Sequence, residues 1–294
     1  MLTICDPHIH LWDLSTGLYP GFEEPSDSFI GNNAAIARSY LLDEYLQEAD
    51  PEVIEIIGAV HVEAFPTDPL REVEVLQAVA VHSPVPLGIV GHADLTSASI
   101  GGLLDAMMEH AAFRGIRHVV NLHDDPAFTY VQEDFLADPT FERGFAELCK
   151  RGLSFDLQLY PHQADAAAKL LQRFADTKVV VNHAAMWVDR TPDGWARWKR
   201  ALRTLAALPH VRVKVSGLGM FDRSFTAESL RPLIYETLEA FGVERCMFAS
   251  NFPVDKLFSD FTTLWGQFDA ISQGLSAEER ALLFHRNAMA FYKL

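Results

Sequence analysis

Short apolar runs bounded by turn residues recur along the chain and alternate with stretches of helical period. Eight of these runs read as strands: 3–10, 56–64, 85–94, 113–122, 153–161, 178–186, 211–218 and 245–253. Each is rich in Val, Ile and Leu, the signature of parallel strands covered on both faces. The intervening patterns are amphipathic. Residues 69–83 put Leu70, Val73, Leu76, Val79 and Ala80 on one side. Residues 141–151 end in a basic turn before Gly152, and 229–241 stop at Gly242. Segments 163–175 and 195–208 are similar, and a last helix opens at Ser276 with Glu279 three residues on, a capping box. Eight strand units alternating with helices predict a single (β/α)8 TIM barrel of the α/β class. No Gly-x-Gly-x-x-Gly follows the first strand, which disfavours a doubly wound sheet. No Pro-, Gly- or Ser-rich linker divides the chain, so residues 1–294 are expected to form one domain. The polar, glycine- and proline-bearing insertion 17–33 is a candidate loop over the barrel mouth.

Composition narrows the function. With 49% hydrophobic and 22% charged residues over 294 positions, the chain can bury a large core. A net charge of -16 argues against nucleic acid and anionic membranes as partners. A local arginine cluster can still hold a small anion. No basic segment followed by an apolar stretch opens the chain, and no apolar run nears the roughly 20 residues that span a bilayer. Cys5, Cys149 and Cys246 are too scattered to suggest a disulfide framework and read as reduced thiols. The expectation is a cytoplasmic protein with a small-molecule substrate; monomer and homo-oligomer are both left open.

The candidate chemistry lies at the ends of the strands. In Asp6-Pro7-His8-Ile9-His10, the i, i+2 spacing aims both imidazoles and the carboxylate to one side of an extended strand. Barrel enzymes place their reacting groups at the C-terminal strand ends. There the chain offers His61 and Glu63, His92 and Asp94, Arg117 and His118, Gln158, His183, Lys214 and Asn251, with Asp255 just beyond. Burying so many polar groups for packing alone would cost several kcal/mol each. Of these, His61, His92, His118 and His123 read as structural. Lys214 reads either as the partner of a core carboxylate or as a cation facing the mouth.

These segments resemble the amidohydrolase superfamily, specifically the amidohydrolase-2 branch of sugar-lactone and dicarboxylate-lactone hydrolases. The likeness also rests on Phe113-Arg114-Gly115-Ile116-Arg117-His118, Phe155-Asp156-Leu157-Gln158, Asn182-His183-Ala184, Lys214-Val215-Ser216-Gly217-Leu218 and Phe248-Ala249-Ser250-Asn251-Phe252-Pro253. It implies a distorted barrel that opens the C–O bond of a lactone. His8, His10 and His183 would line the site. They would hold one divalent metal, for which zinc suits three imidazoles best, or the substrate carbonyl directly in a metal-independent enzyme. Arg117 would grip a substrate carboxylate or hydroxyl.

Asn251 departs from the pattern, because an aspartate is expected there and an amide cannot take up a proton near neutral pH. The reading is therefore a metal-optional hydrolase acting on the lactone of a small sugar acid or dicarboxylate. His8, His10 and His183 are its catalytic and metal-binding candidates. Arg117, Gln158, Lys214 and Asn251 would bind substrate, and Asp255 or Glu63 would activate water, with a histidine as the remaining option. Two alternatives stand beside it: a metal-dependent decarboxylase or lyase of the same superfamily, and a small-molecule binder that lost its strand-eight base.

Overall fold

The computed structural model describes residues Met1–Leu294. The eight apolar runs form β1 (Leu2–Ile9), β2 (Ile54–Val62), β3 (Leu87–His92), β4 (Phe113–Arg117), β5 (Ser154–Leu157), β6 (Lys178–Val181), β7 (Val211–Val215) and β8 (Cys246–Phe248). They pair in sequence order, every neighbour parallel. The seam between β8 and β1 is closed past the end of β8. A parallel bridge joins Ile9 to Phe252, the Asn251 N–H donates to the His8 carbonyl at 2.8 Å, and the His10 N–H donates to the Phe252 carbonyl at 2.8 Å. The result is a nearly closed barrel with helices between its strands, as the alternating pattern predicts.

Most strands stop well before the apolar run does. The sixth is predicted to reach residue 186 but ends at Val181, because residues 183–186 leave the extended region altogether. In the same way the chain turns out of the ladder after Arg117, Leu157, Val215 and Phe248. The freed segments carry the polar residues of the mouth.

The helices are α1 (Leu42–Gln47), α2 (Pro69–His82), α3 (Ile100–Met108), α4 (Pro139–Arg151), α5 (Ala164–Leu171), α6 (Pro192–Ala206), α7 (Ala227–Phe241) and α8 (Phe261–Ile271), followed by a terminal run from Ala277 to Tyr292. Their starts have local causes. Asp68, Asp138, Thr191, Thr226 and Asp260 each cap a first turn with a side-chain oxygen. Proline occupies the first turn of α2, α4 and α6. The capping box at Ser276 and Glu279 forms as expected. The apolar pattern does not mark α1, α3 and α8: α1 is only six residues long, and α3 opens on Gly101 and Gly102.

The main core lies between barrel and helices. A second apolar cluster of Cys5, Val60, Val62, Val90, Val180 and Met247 fills the barrel and is stoppered by Ala288, Phe291 and Tyr292 of the terminal run. The chemistry is thereby confined to the other end. No helix is long and apolar enough to cross a membrane.

Candidate active site

His8 and His10 leave β1 on the same side, with ring centroids 5.1 Å apart, and His183 lies 4.6 Å from His8. The three imidazoles expected to meet at the mouth do meet there. The His10 ring is held by one bond, 2.7 Å from Nδ1 to the Val62 carbonyl oxygen. A carbonyl can only accept, so Nδ1 carries the proton and Nε2 is a bare lone pair. Burial, with Arg117 and His61 adding to it, lowers the His10 pKa to about 3. Burial likewise lowers His8, with Lys214 the next cause, and His183, with Arg117 the next cause, well below the usual range. All three rings are neutral at physiological pH.

His183 is delivered by an unusual turn. Residues His183, Ala184, Ala185 and Met186 all have positive φ, from 46° to 59°. Non-glycine residues in that region cost of order 1–3 kcal/mol each and persist only where surroundings impose them. One restraint is the buried Trp198, whose Nε1 donates to the Ala184 carbonyl at 2.7 Å. Another is Ser216, whose Oγ is 2.9 Å from His183 Nδ1. Gly217, at φ 62°, packs against the same ring; a Cβ there would sit 2.5 Å from Nδ1. Gly217→Ala should therefore displace His183 and cut kcat by at least about tenfold, since misplacing a reacting group by about 1 Å can cost 10²-fold. Unchanged kcat would show that the ring position does not matter.

Arg117, at the end of β4, is buried and almost fully engaged. Its Nε donates to Glu63 Oε1 at 2.6 Å, Nη2 to the Glu63 carbonyl at 2.7 Å and Nη1 to Gln158 Oε1 at 3.0 Å. A guanidinium has five N–H groups, so one on each Nη remains for a ligand. Glu63 is correspondingly spent. Its second oxygen accepts the Phe65 N–H at 2.7 Å. Burial pushes its pKa up, yet Arg117 and its other partners hold the carboxyl below its ordinary value. The expectation that Glu63 activates water gives way to an anchoring role: Glu63 lines the cavity, but each of its oxygens already accepts a hydrogen bond and its charge is matched by Arg117. Arg117 pairs with Glu63 and not with Asp156.

Asp255 does not reach over the mouth. The turn after Pro253 tucks it under Asn251, where it is fully buried. Asn251 Nδ2 donates to Asp255 Oδ2 at 2.6 Å, and the Gly219 N–H donates to Oδ1 at 2.9 Å. This second candidate base is likewise corrected, because Asn251, not Asp255, lines the cavity. Burial raises the Asp255 pKa to about 7. The folded chain thus keeps a proton that the unfolded chain loses near pH 4, so this group's contribution falls as pH rises from about 4 to 7. Asp255→Asn should flatten that slope in a melting-temperature series. It should cost less than about tenfold in kcat, against the 10²–10⁴ typical of a lost general base.

Lys214 resolves to the first of its two readings. It is fully buried in the barrel, ion-paired with Asp156, and absent from the cavity wall. Asp156 also accepts from Asn182 Nδ2 at 3.0 Å and from the Tyr292 hydroxyl at 2.9 Å. The substrate-binding assignment of Lys214 is corrected accordingly. Three of the histidines read as structural are each bonded to the backbone. His61 Nδ1 accepts the Leu11 N–H at 3.1 Å, His118 Nδ1 the Leu95 N–H at 3.2 Å and His123 Nδ1 the Asp125 N–H at 3.0 Å.

The three imidazoles expected to hold a metal are together, but without an anionic partner at strand eight. His10 and His183 each have one ring nitrogen engaged, His8 has both nitrogens buried without a partner, and the strand-eight position offers an amide. No three His, Cys, Asp or Glu side chains are arranged as a metal-binding group. Even so, each ring keeps at least one nitrogen without a protein partner, as ligating histidines do, so His8, His10 and His183 are the residues that would hold a divalent ion; no chemical step is derived through one.

His10, Glu63, Arg117, Gln158, His183 and Asn251 form the buried polar floor of a cavity of about 360 Å³. Its walls include Trp12, Phe22, Ile30, Phe65, Tyr130 and Met220. Trp12 and Phe22 stack at 4.0 Å, which brings the 17–33 insertion into the cavity wall. The sequence flags the 17–33 insertion as a loop over the mouth but not which of its residues form the wall, and it gives no sign of Phe65, which adopts φ 55° with its ring 5.5 Å from the Arg117 guanidinium carbon.

Barrel, paired histidines and buried arginine define a hydrolase-type site of one known family. The amidohydrolase family model Amidohydro_2 matches residues 5–294, and the chain belongs to that family. The protein is 44% identical to the uncharacterized protein y4mH of Sinorhizobium fredii, over 100% of this chain and 99% of that one. It is 29% identical to an L-fucono-1,5-lactonase of Burkholderia multivorans, covering 98% and 95% of the two chains. A crystal structure of a Burkholderia multivorans amidohydrolase with bound zinc superposes with a TM-score of 0.82 at 26% identity, over the full length of both.

Proposed function

We propose that the protein hydrolyses the lactone of a small polar acid, a sugar acid or a dicarboxylate. The observation that carries this is the His10 ring. Its tautomer is fixed by the Val62 carbonyl, and its bare Nε2 belongs to the same cavity floor as the free N–H groups of Arg117. That pairs a proton acceptor with an anion holder. The lactonase relatives support the same reaction.

The steps follow from the donors and acceptors. Arg117 holds a carboxylate or hydroxyl of the substrate through its two free N–H groups. In the tautomer where the Ser216 hydroxyl donates to Nδ1, His183 presents Nε2–H to the lactone carbonyl oxygen. Asn251, its amide nitrogen tied to Asp255, presents Oδ1 to the attacking water. As water adds to the carbonyl carbon, one of its protons passes to His10 Nε2. The C–O ring bond then breaks, and that proton moves to the leaving oxygen. The product is a hydroxy acid that releases its carboxyl proton to solvent at neutral pH. Burial first, and Arg117 next, make His10 a weak base. Negative charge on Arg117 offsets that repulsion as the reaction proceeds.

A panel of sugar-acid and dicarboxylate lactones, followed by proton release, tests the proposal. His183→Gln keeps a neutral donor and should retain more activity than His183→Ala, whereas His10→Gln should not be rescued. Release of carbon dioxide from carboxylated aromatics would replace this reading by a decarboxylase. Binding without turnover would replace it by a binder.

A further inference from the structure

Beyond the catalytic cavity lies a second, larger space of about 910 Å³. The two are continuous: Ser28, Tyr130 and Met220 belong to both. Phe29, Phe128 and Phe221 wall the outer groove, each half-buried. Phe29 and Phe128 meet edge to face at 5.5 Å and 67°.

The aromatic face of the groove offers little to a polyhydroxylated ligand. The Phe128 carbonyl already accepts the Tyr160 hydroxyl, and the Thr129 hydroxyl donates to the Val131 carbonyl at 3.0 Å. The Phe128 and Tyr130 N–H groups are bonded to the carbonyls of Asp125 and Asn121 at 3.0 and 2.9 Å. One carboxylate, Asp27, and one guanidinium, Arg223, balance each other in an otherwise uncharged lining. Asp27 accepts from Asn32 Nδ2 at 3.1 Å and Arg223 gives one of its five N–H groups to the Phe29 carbonyl at 3.3 Å, so the polar capacity left in the groove is confined to these two exposed side chains and Ser28. A small lactone held on the floor by Arg117 would not reach this aromatic surface and would leave it to water, which is unfavourable in proportion to its apolar area.

We infer that the outer groove is a distal subsite and that the preferred substrate is a lactone bearing a neutral apolar arm, alkyl or aromatic, which runs past Met220 and Tyr130 onto Phe29 and Phe128. This deepens the lactone-hydrolase reading and rests on it. The polar ring is held on the floor by Arg117, Gln158 and Asn251, and the arm adds affinity without touching the reacting atoms.

The test uses pairs of aldonolactones that differ by one O-butyl or O-benzyl group. For wild type the arm should lower KM by about tenfold or more, because burying an apolar group of this size is worth at least one factor of ten. In Phe128→Ala that preference should shrink to about threefold or less, with the KM of the armless lactone unchanged. Ala127→Trp places bulk in the groove from an exposed position and should abolish the preference without affecting folding. Equal KM values for both members of each pair in wild type, or an arm preference that survives both variants, would overturn the subsite. If no lactone is turned over, the reaction assignment fails separately. Calorimetric binding of the butyl- or benzyl-bearing hydroxy acids against their armless parents then decides the subsite by itself: tighter binding, lost in Ala127→Trp, supports it, and equal binding overturns it.

Discussion

Arg117→Met should raise the KM for a carboxylated lactone by at least about tenfold, since a hydrogen bond to a charged group is worth roughly 1.5–3 kcal/mol. It should also lower the melting temperature, for a separate reason. Glu63 has no exposure and loses its only cation in that variant. Breaking a buried pair from one side typically costs about 3–5 kcal/mol, because the remaining charge is stranded. Arg117→Met combined with Glu63→Gln separates the two effects. The double variant removes the stranded carboxylate, while the oxygen of the new side-chain amide can still accept the Phe65 N–H. It should therefore recover most of the melting temperature and none of the substrate affinity. Recovery of both, or a single variant with unchanged KM, would reduce Arg117 to a structural role.

His10→Gln should lower kcat by about 10²–10⁴, the usual cost of losing a general base. KM and product binding should stay within a few-fold, because Arg117 and Gln158 still hold the substrate. The pH profile offers an independent check. His10 is protonated only near pH 3, so it should impose no acid limb on kcat/KM between about pH 5 and 8. A limb near pH 6.5 that disappears in His10→Gln would mean that the ring titrates normally, with its environment misjudged.

Much of this protein is legible from its pattern. Period-two spacing in Asp6-Pro7-His8-Ile9-His10 places two imidazoles together once the segment is an extended strand, and the eight apolar runs supply the barrel that adds His183. What the pattern does not carry is who pairs with whom. Glu63 and Asp255 have roles set by groups that the local sequence does not identify. Glu63 meets Arg117 across 54 positions. Asp255 is covered because the chain turns under Asn251. Lys214 finds Asp156 across 58 positions, through a register that strand pattern alone does not fix. The aromatic wall escapes for another reason: Phe22, Ile30 and Tyr130 sit in irregular segments, where neither helical nor strand periodicity distinguishes a wall from a solvent-exposed loop.

The central claim is that proton transfer to His10 Nε2 opens a lactone on this cavity floor. The most direct measurement is proton release from a lactone panel by wild type and His10→Gln, each with excess chelator and again with added zinc. The account predicts chelator-resistant turnover by wild type, unchanged by zinc, and a loss of about 10²-fold or more in the variant under both conditions. Turnover that vanishes with chelator and returns in proportion to bound zinc would contradict it.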